Sequence, residues 1–148
     1  MQPKILLLDD DKDMLSLYKE LLGQLPSQPE VVTCSKGAKA ITMLEEESFN
    51  LLISDLNMPK MDGLQVLAIV RRKFPQLRTI VLTSVVDEQF RSRAYGLGVD
   101  IFCYKPTCSE EVAQFKDCVE SLLGRDNQKG FRGLQNKSLL DIVQLECL

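Results

Sequence analysis

Apolar residues follow two alternating patterns along this chain. Four short runs are almost unbroken: Ile5-Leu6-Leu7-Leu8, Leu51-Leu52-Ile53-Ser54, Thr79-Ile80-Val81-Leu82 and Ile101-Phe102-Cys103-Tyr104. Runs of that length, bounded by turn-forming residues, predict strands buried on both faces. A fifth segment, Glu30–Cys34, alternates and is β-branched, which also predicts a strand. Between these segments the apolar residues recur every three or four positions, the spacing of one helical face. The first such stretch carries Met14, Leu17, Tyr18, Leu21, Leu22 and Leu25, and is stopped by Gly23 and Pro26. The second, Gly37–Glu46, aligns Ala40, Ile41 and Leu44. The third aligns Leu64, Leu67 and Val70 and ends before Pro75; the fourth, over residues 87–97, aligns Phe90, Ala94 and Leu97. The last aligns Val112, Phe115, Val119 and Leu122, with Ser109 read as its cap and Gly124 as its stop.

Five strands alternating with five helices predict an α/β domain with a parallel sheet and helices on both faces. The size suits the flavodoxin-like, doubly wound (βα)5 arrangement with strand order 2-1-3-4-5. In that order the first and third strands are neighbours, and a crevice opens between their carboxyl ends. Beyond Gly124 the pattern changes. Residues 125–133 are polar and read as a linker. Ser138 then opens an amphipathic stretch with Leu139, Leu140, Ile142, Val143, Leu145 and Leu148. So short and apolar a helix would not stand alone in water, so it is read as the start of a further domain.

Composition narrows the function classes. The chain has 148 residues, 45% hydrophobic and 26% charged, as in an ordinary soluble globular protein. A net charge of −3 argues against nucleic-acid binding, which needs a basic face. The apolar run at the start is cut short by Asp9, too short for a signal peptide or a membrane span, so a cytoplasmic location is expected. There is no histidine, and the five cysteines, Cys34, Cys103, Cys108, Cys118 and Cys147, show no Cys-x-x-Cys spacing. That argues against zinc and against a disulfide framework, and for free thiols in a reducing compartment.

The chemistry sits at the strand ends. The first strand runs into Asp9, Asp10 and Asp11; the third into Asp55; the fourth into Thr83; the fifth into Lys105. Open parallel sheets place ligands at these ends. Clustered carboxylates repel one another, and a divalent cation resolves that repulsion. Oxygen-only ligation points to magnesium or manganese, and magnesium takes one or two carboxylates plus phosphate oxygens. Asp55 has one oxygen for a metal and one for nucleophilic attack on phosphorus. Lys105 and the Thr83 hydroxyl suit two phosphoryl oxygens, and a backbone amide near Leu56 a third. Asp11 and Asp13 read instead as caps of the first helix, and Asp62-Gly63 as a turn and helix start. Each feature alone is commonplace; together, in this order, they are specific.

The motifs Ile5-Leu6-Leu7-Leu8-Asp9-Asp10-Asp11, Ser54-Asp55-Leu56-Asn57-Met58-Pro59-Lys60-Met61-Asp62-Gly63, Leu82-Thr83-Ser84 and Lys105-Pro106 resemble the receiver domain of two-component response regulators, from residue 4 to about residue 123. The resemblance implies that Asp55 accepts a phosphoryl group from a sensor histidine kinase or a phosphotransfer protein. It implies that Asp10, Asp55 and the backbone carbonyl of Asn57 bind Mg2+, with Asp9 assisting through water, and that Thr83 and Lys105 bind phosphoryl oxygens. It implies a cis Lys105-Pro106 bond. It implies a switch in which Thr83 is drawn in and Phe102, standing where Tyr is commoner, moves inward. Residues 87–123 would then be the surface read by an output partner, which leaves homodimerisation open. Residues 1–124 would be the receiver domain. Residues 130–148 resemble the opening of a PATAN-type domain.

Other functions are weighed on the same residues. A phosphatase of the haloacid dehalogenase type needs a second Asp two positions after its nucleophile, where this chain has Asn57. A nucleotide-binding module needs a phosphate-cradling loop, and the lone Gly96-Leu97-Gly98 follows a helix rather than a strand. A phosphorylation-independent interaction domain would have no use for an intact acceptor and metal set. No turnover enzyme is expected. The residues after Gly124 are too few for a helix-turn-helix.

Overall fold

The computed structural model describes residues 2–56, 58, 63–84 and 87–123. They form β1 (Lys4–Leu8), α1 (Lys12–Gly23), β2 (Glu30–Cys34), α2 (Gly37–Glu46), β3 (Leu51–Ser54), α3 (Gly63–Lys73), β4 (Arg78–Thr83), α4 (Glu88–Gly96), β5 (Ile101–Tyr104) and α5 (Ser109–Leu123). The five strands make one parallel sheet in the order β2-β1-β3-β4-β5. This is the flavodoxin-like α/β fold that the alternation predicts.

The two-residue period of a strand divides the core between the two faces. Ile5, Leu7, Leu51, Ile53, Ile80, Leu82 and Ile101 face α1 and α5. Tyr18 of α1 meets Phe115 of α5 edge-on there, ring centroids 5.8 Å apart. Burial pushes the Tyr18 phenol up to about 12. Leu6, Leu8 and Leu52 face α2 and α3, while Val81 and Phe102 face α3 and α4. The unbroken apolar runs are thus explained by burial on both sides. Each fully buried Leu or Ile contributes about 1.5–3 kcal/mol relative to exposure.

Several local expectations are corrected. The buried stripe of α1 is Leu15, Tyr18 and Leu22, and Leu17 is 47% exposed. At 100° per residue, a stripe centred on Tyr18 takes in Leu15 and leaves Leu17 outside. Helix α3 lies at the middle of its face and buries Val66 as well as Leu64, Leu67 and Val70. Ser109 is the first helical residue of α5 rather than its cap. The Cys108 Sγ takes the Glu111 amide at 3.5 Å, and the Cys108 carbonyl takes the Val112 amide. No cis peptide bond occurs among the described residues, so Lys105-Pro106 is trans. The two isomers of such a bond differ by only about 0.5–1 kcal/mol, so local packing readily selects either.

Cys34, Cys103, Cys108 and Cys118 are free thiols. Burial pushes Cys103 up to about 12 and Cys118 to about 11, which keeps both thiols protonated and inert. No helix among the described residues is long and apolar enough to cross a membrane. Asn57, Gly124, Cys147, the linker, the helix from Ser138 and the PATAN-like stretch lie outside the described residues.

Candidate functional site

Backbone hydrogen bonds bring the strand exits level. Leu8 pairs with Ser54 at the ends of β1 and β3, so the next residues, Asp9 and Asp55, leave the sheet side by side. The Asp55 amide bonds the Leu8 carbonyl (2.9 Å), and the Asp9 amide bonds that of Cys34 (3.1 Å). At the end of β4, the Thr83 carbonyl holds the Lys105 amide at 2.8 Å. Each candidate side chain therefore starts from a fixed backbone position.

Asp9, Asp10 and Asp55 converge, one carboxylate oxygen from each lying within 4.8 Å of the others. Asp9 and Asp55 are buried, at 4% and 5% exposure, while Asp10 is exposed. The Lys105 ammonium lies between the two buried groups, 3.0 Å from Asp9 Oδ2 and 3.1 Å from Asp55 Oδ2. Thr83 is fully buried on β4, the strand between those that carry Asp55 and Lys105. The structure thus brings Asp9, Asp10, Asp55 and Lys105 together, with Thr83 on the strand between them. Phe102 is fully buried outside this cluster, packed with Leu56, Leu64 and Val81. It already points into the core.

The electrostatics follow from burial and pairing. Burial raises the Asp9 carboxyl above the usual range and the nearby Asp55 adds to this, while the Asp11 amide (3.0 Å from Oδ1) and Lys105 oppose it. For Lys105, burial is the largest single influence and lowers its pKa. The hydrogen bonds and charges of Asp9 and Asp55 together outweigh it and raise the group above its ordinary value. One lysine offsets one of three negative charges. Two like charges at this spacing repel by about 3 kcal/mol at an effective dielectric constant near 20. An all-oxygen donor set with excess negative charge and one solvent-open member fits a hard divalent cation that keeps part of its water shell.

The sequence marks Gly63 as part of a turn and helix start, but its main constraint is not visible there. A Cβ there would lie 2.5 Å from Leu56 Cα and 2.8 Å from the Asp55 carbonyl oxygen. The Gly63 amide also bonds the Leu56 carbonyl at 3.2 Å. The start of α3 is thereby seated directly against the backbone of the candidate acceptor. Asp11 caps α1 as expected, its carboxylate accepting from the Asp13 and Met14 amides, and Asp13 lies in the first turn. Asp62 lies outside the described residues.

The sequence matches the response regulator receiver domain family over residues 5–115. It is similar to response regulator protein FleR of Pseudomonas aeruginosa, 36% identical over 98 residues, covering 65% of this chain and 20% of that protein. It is similar to transcriptional regulatory protein GlrR of Escherichia coli strain K12, 32% identical over 145 residues, covering 96% of this chain and 32% of that protein. The chain therefore spans between a fifth and a third of these two proteins. Among solved structures it resembles the phosphorylated cyanobacterial phytochrome response regulator RcpA. The TM-score is 0.69 at 28% identity, covering 83% of this chain and 94% of that one.

Proposed function

The chain belongs to the response regulator receiver domain family, and on that premise we propose that Asp55 accepts a phosphoryl group from a phosphohistidine and thereby switches a partner surface. Receiver domains serve signal transduction and pair with histidine kinases; they are not turnover enzymes. The acidic triad Asp9, Asp10 and Asp55 is of the kind that binds magnesium in receivers.

The single observation that carries this reading is the Lys105 bridge. One cation holds two buried carboxylates from different strands, beside a third that opens to solvent. In the proposed step an Asp55 oxygen attacks phosphorus in line with the leaving imidazole. The oxygen–phosphorus bond forms as the nitrogen–phosphorus bond breaks, and the imidazole nitrogen takes a proton from water. Lys105 moves its contact from the Asp55 carboxylate to a phosphoryl oxygen, and the Thr83 hydroxyl donates to another. A backbone amide near Leu56 serves the third. Asp10, Asp55 and the Asn57 carbonyl would hold Mg2+, with Asp9 acting through water. Magnesium, when bound, supplies positive charge against the phosphoryl oxygens and the carboxylates.

The added charge would draw Thr83 inward and reset the packing around Phe102. It would alter the surface of residues 87–123, where an output partner or a second copy docks. We place this activity in the cytoplasm, where a kinase domain is met.

Incubation with magnesium and acetyl phosphate, followed by intact mass measurement, tests the acceptor. One added phosphoryl group is expected, lost in Asp55→Ala and in chelator. No adduct, under conditions that phosphorylate a control receiver, would refute it.

A further inference from the structure

Strand β5 pairs with β4 and, among the described residues, has no strand on its other side. An edge strand leaves alternate backbone amides facing outward. The register sets Leu82 against Cys103, and the Lys105 amide bonds the Thr83 carbonyl. The two-residue alternation of a parallel ladder then turns the Phe102 amide away from β4. That outward amide is taken by Tyr95 of α4, whose hydroxyl oxygen accepts it at 3.3 Å. The Tyr95 and Phe102 rings lie 6.4 Å apart, and Phe102 meets Tyr104 edge-on at 5.6 Å.

Helix α4 also meets the cluster around Phe102 through the part-buried Phe90. Ala94 is its one buried side chain. Phe102, in turn, shares a packed cluster with Leu56, the residue after Asp55, and with Leu64 and Leu67 of α3. A continuous line of packed groups therefore runs from Asp55 through Leu56 and Phe102 to Tyr95. Phe102 carries no hydroxyl of its own, and the neighbouring helix provides one.

We propose that the Tyr95 hydroxyl is a latch: bonded to the Phe102 amide it holds α4 on the β5 edge in the unphosphorylated domain, and phosphorylation of Asp55 releases it. Tyr95 is then a positioning residue of the switch, and its release frees the Phe102 amide and loosens α4 on the β5 edge. This rests on the reading of Asp55 as the acceptor. A long, neutral hydrogen bond suits the role, because a switch needs contacts that differ between two states by little energy.

Beryllofluoride with magnesium, which mimics a phosphoryl group on a carboxylate, is the probe, with fluorine NMR to report its binding. Amide hydrogen exchange at Phe102 is measured with and without it. In the parent protein the Phe102 amide is expected to be protected in the free state and to exchange at least about tenfold faster in the beryllofluoride state. In Tyr95→Phe it exchanges fast in both. That variant also binds beryllofluoride about three- to tenfold more tightly, because the resting state alone loses a hydrogen bond of ordinary strength. A residue that merely braces the fold would lower the melting temperature and leave that affinity unchanged, and such a result overturns the latch. Unchanged Phe102 exchange in the parent with beryllofluoride visibly bound overturns it as well, whatever the variant does. No bound beryllofluoride signal in the parent refutes the acceptor reading itself, and the latch as its switch falls with it.

Discussion

At the residue scale, Asp100 carries a cost that pH can expose. It stands just before β5, at the end of the sheet away from the acidic cluster. Its Oδ2 accepts the Thr79 amide at 2.8 Å, and its own amide bonds the Thr79 carbonyl at 3.0 Å. Burial raises its carboxyl above the usual 3.8, against the opposing pull of the Thr79 amide and of Arg71 and Arg78. A carboxyl with a raised folded pKa binds its proton more tightly in the native state. Its contribution to stability is therefore greatest in acid and falls as pH rises from 3.8 through the folded pKa. Asp100→Asn keeps a carbonyl oxygen for the Thr79 amide and removes the titration. The variant is expected to be at least as stable as the parent at neutral pH, and its advantage should shrink as pH falls toward 4, read by urea unfolding across a pH series. A parent that outperforms the variant by a growing margin as pH rises would contradict this account.

At the scale of elements, two glycines at helix ends give opposite expectations. A Cβ at Gly63 meets the Leu56 and Asp55 backbone, which cannot yield as a flexible side chain can, whereas a Cβ at Gly23 meets nothing within 4 Å. Gly63→Ala should destabilise by about 2 kcal/mol or more, with α3 pushed off the Asp55 loop. Gly23→Ala, at the last residue of α1, should be neutral or stabilising by about 0.4–1 kcal/mol. Denaturation midpoints compared side by side decide it, and equal losses at both positions would refute the steric reading. The pair also marks what the sequence could and could not reveal. Strands were legible because their apolar runs end abruptly in Asp9, Asp55, Thr83 and Lys105, and burial on both faces writes that pattern plainly. Helix faces were less so. In α1 the apolar residues are dense enough to fit two stripes, and only packing against the sheet and α5 selects the one through Leu15. The Gly63 contact and the Tyr95 bond to Phe102 join residues whose adjacency exists only after folding, and neither residue type announces it.

At the scale of the whole molecule, the fold itself concentrates charge. Asp9 and Asp10 are separated from Asp55 by some 45 positions of sequence, and only the β1–β3 pairing brings their oxygens within 4.8 Å. The unfolded chain scatters them, so a divalent cation that binds the triad binds the native state alone. Linkage then makes stability a function of magnesium. Past its dissociation constant, each tenfold rise in magnesium adds about 1.4 kcal/mol to the free energy of unfolding. For a chain of this size that is a melting temperature raised by about 4 °C per decade. Asp10 gives the cleanest control because it is exposed, so Asp10→Asn removes a proposed ligand without touching the core. The parent should show the magnesium-dependent rise, lose it on chelation, and show it again on readdition. Asp10→Asn, with one of the mutually repelling charges gone, should melt above the metal-free parent and show no magnesium-dependent rise across the titration. Equal shifts in both proteins would mean that magnesium acts by general screening of a chain with net charge −3 and not at this site. A monovalent salt series at matched ionic strength separates those two causes.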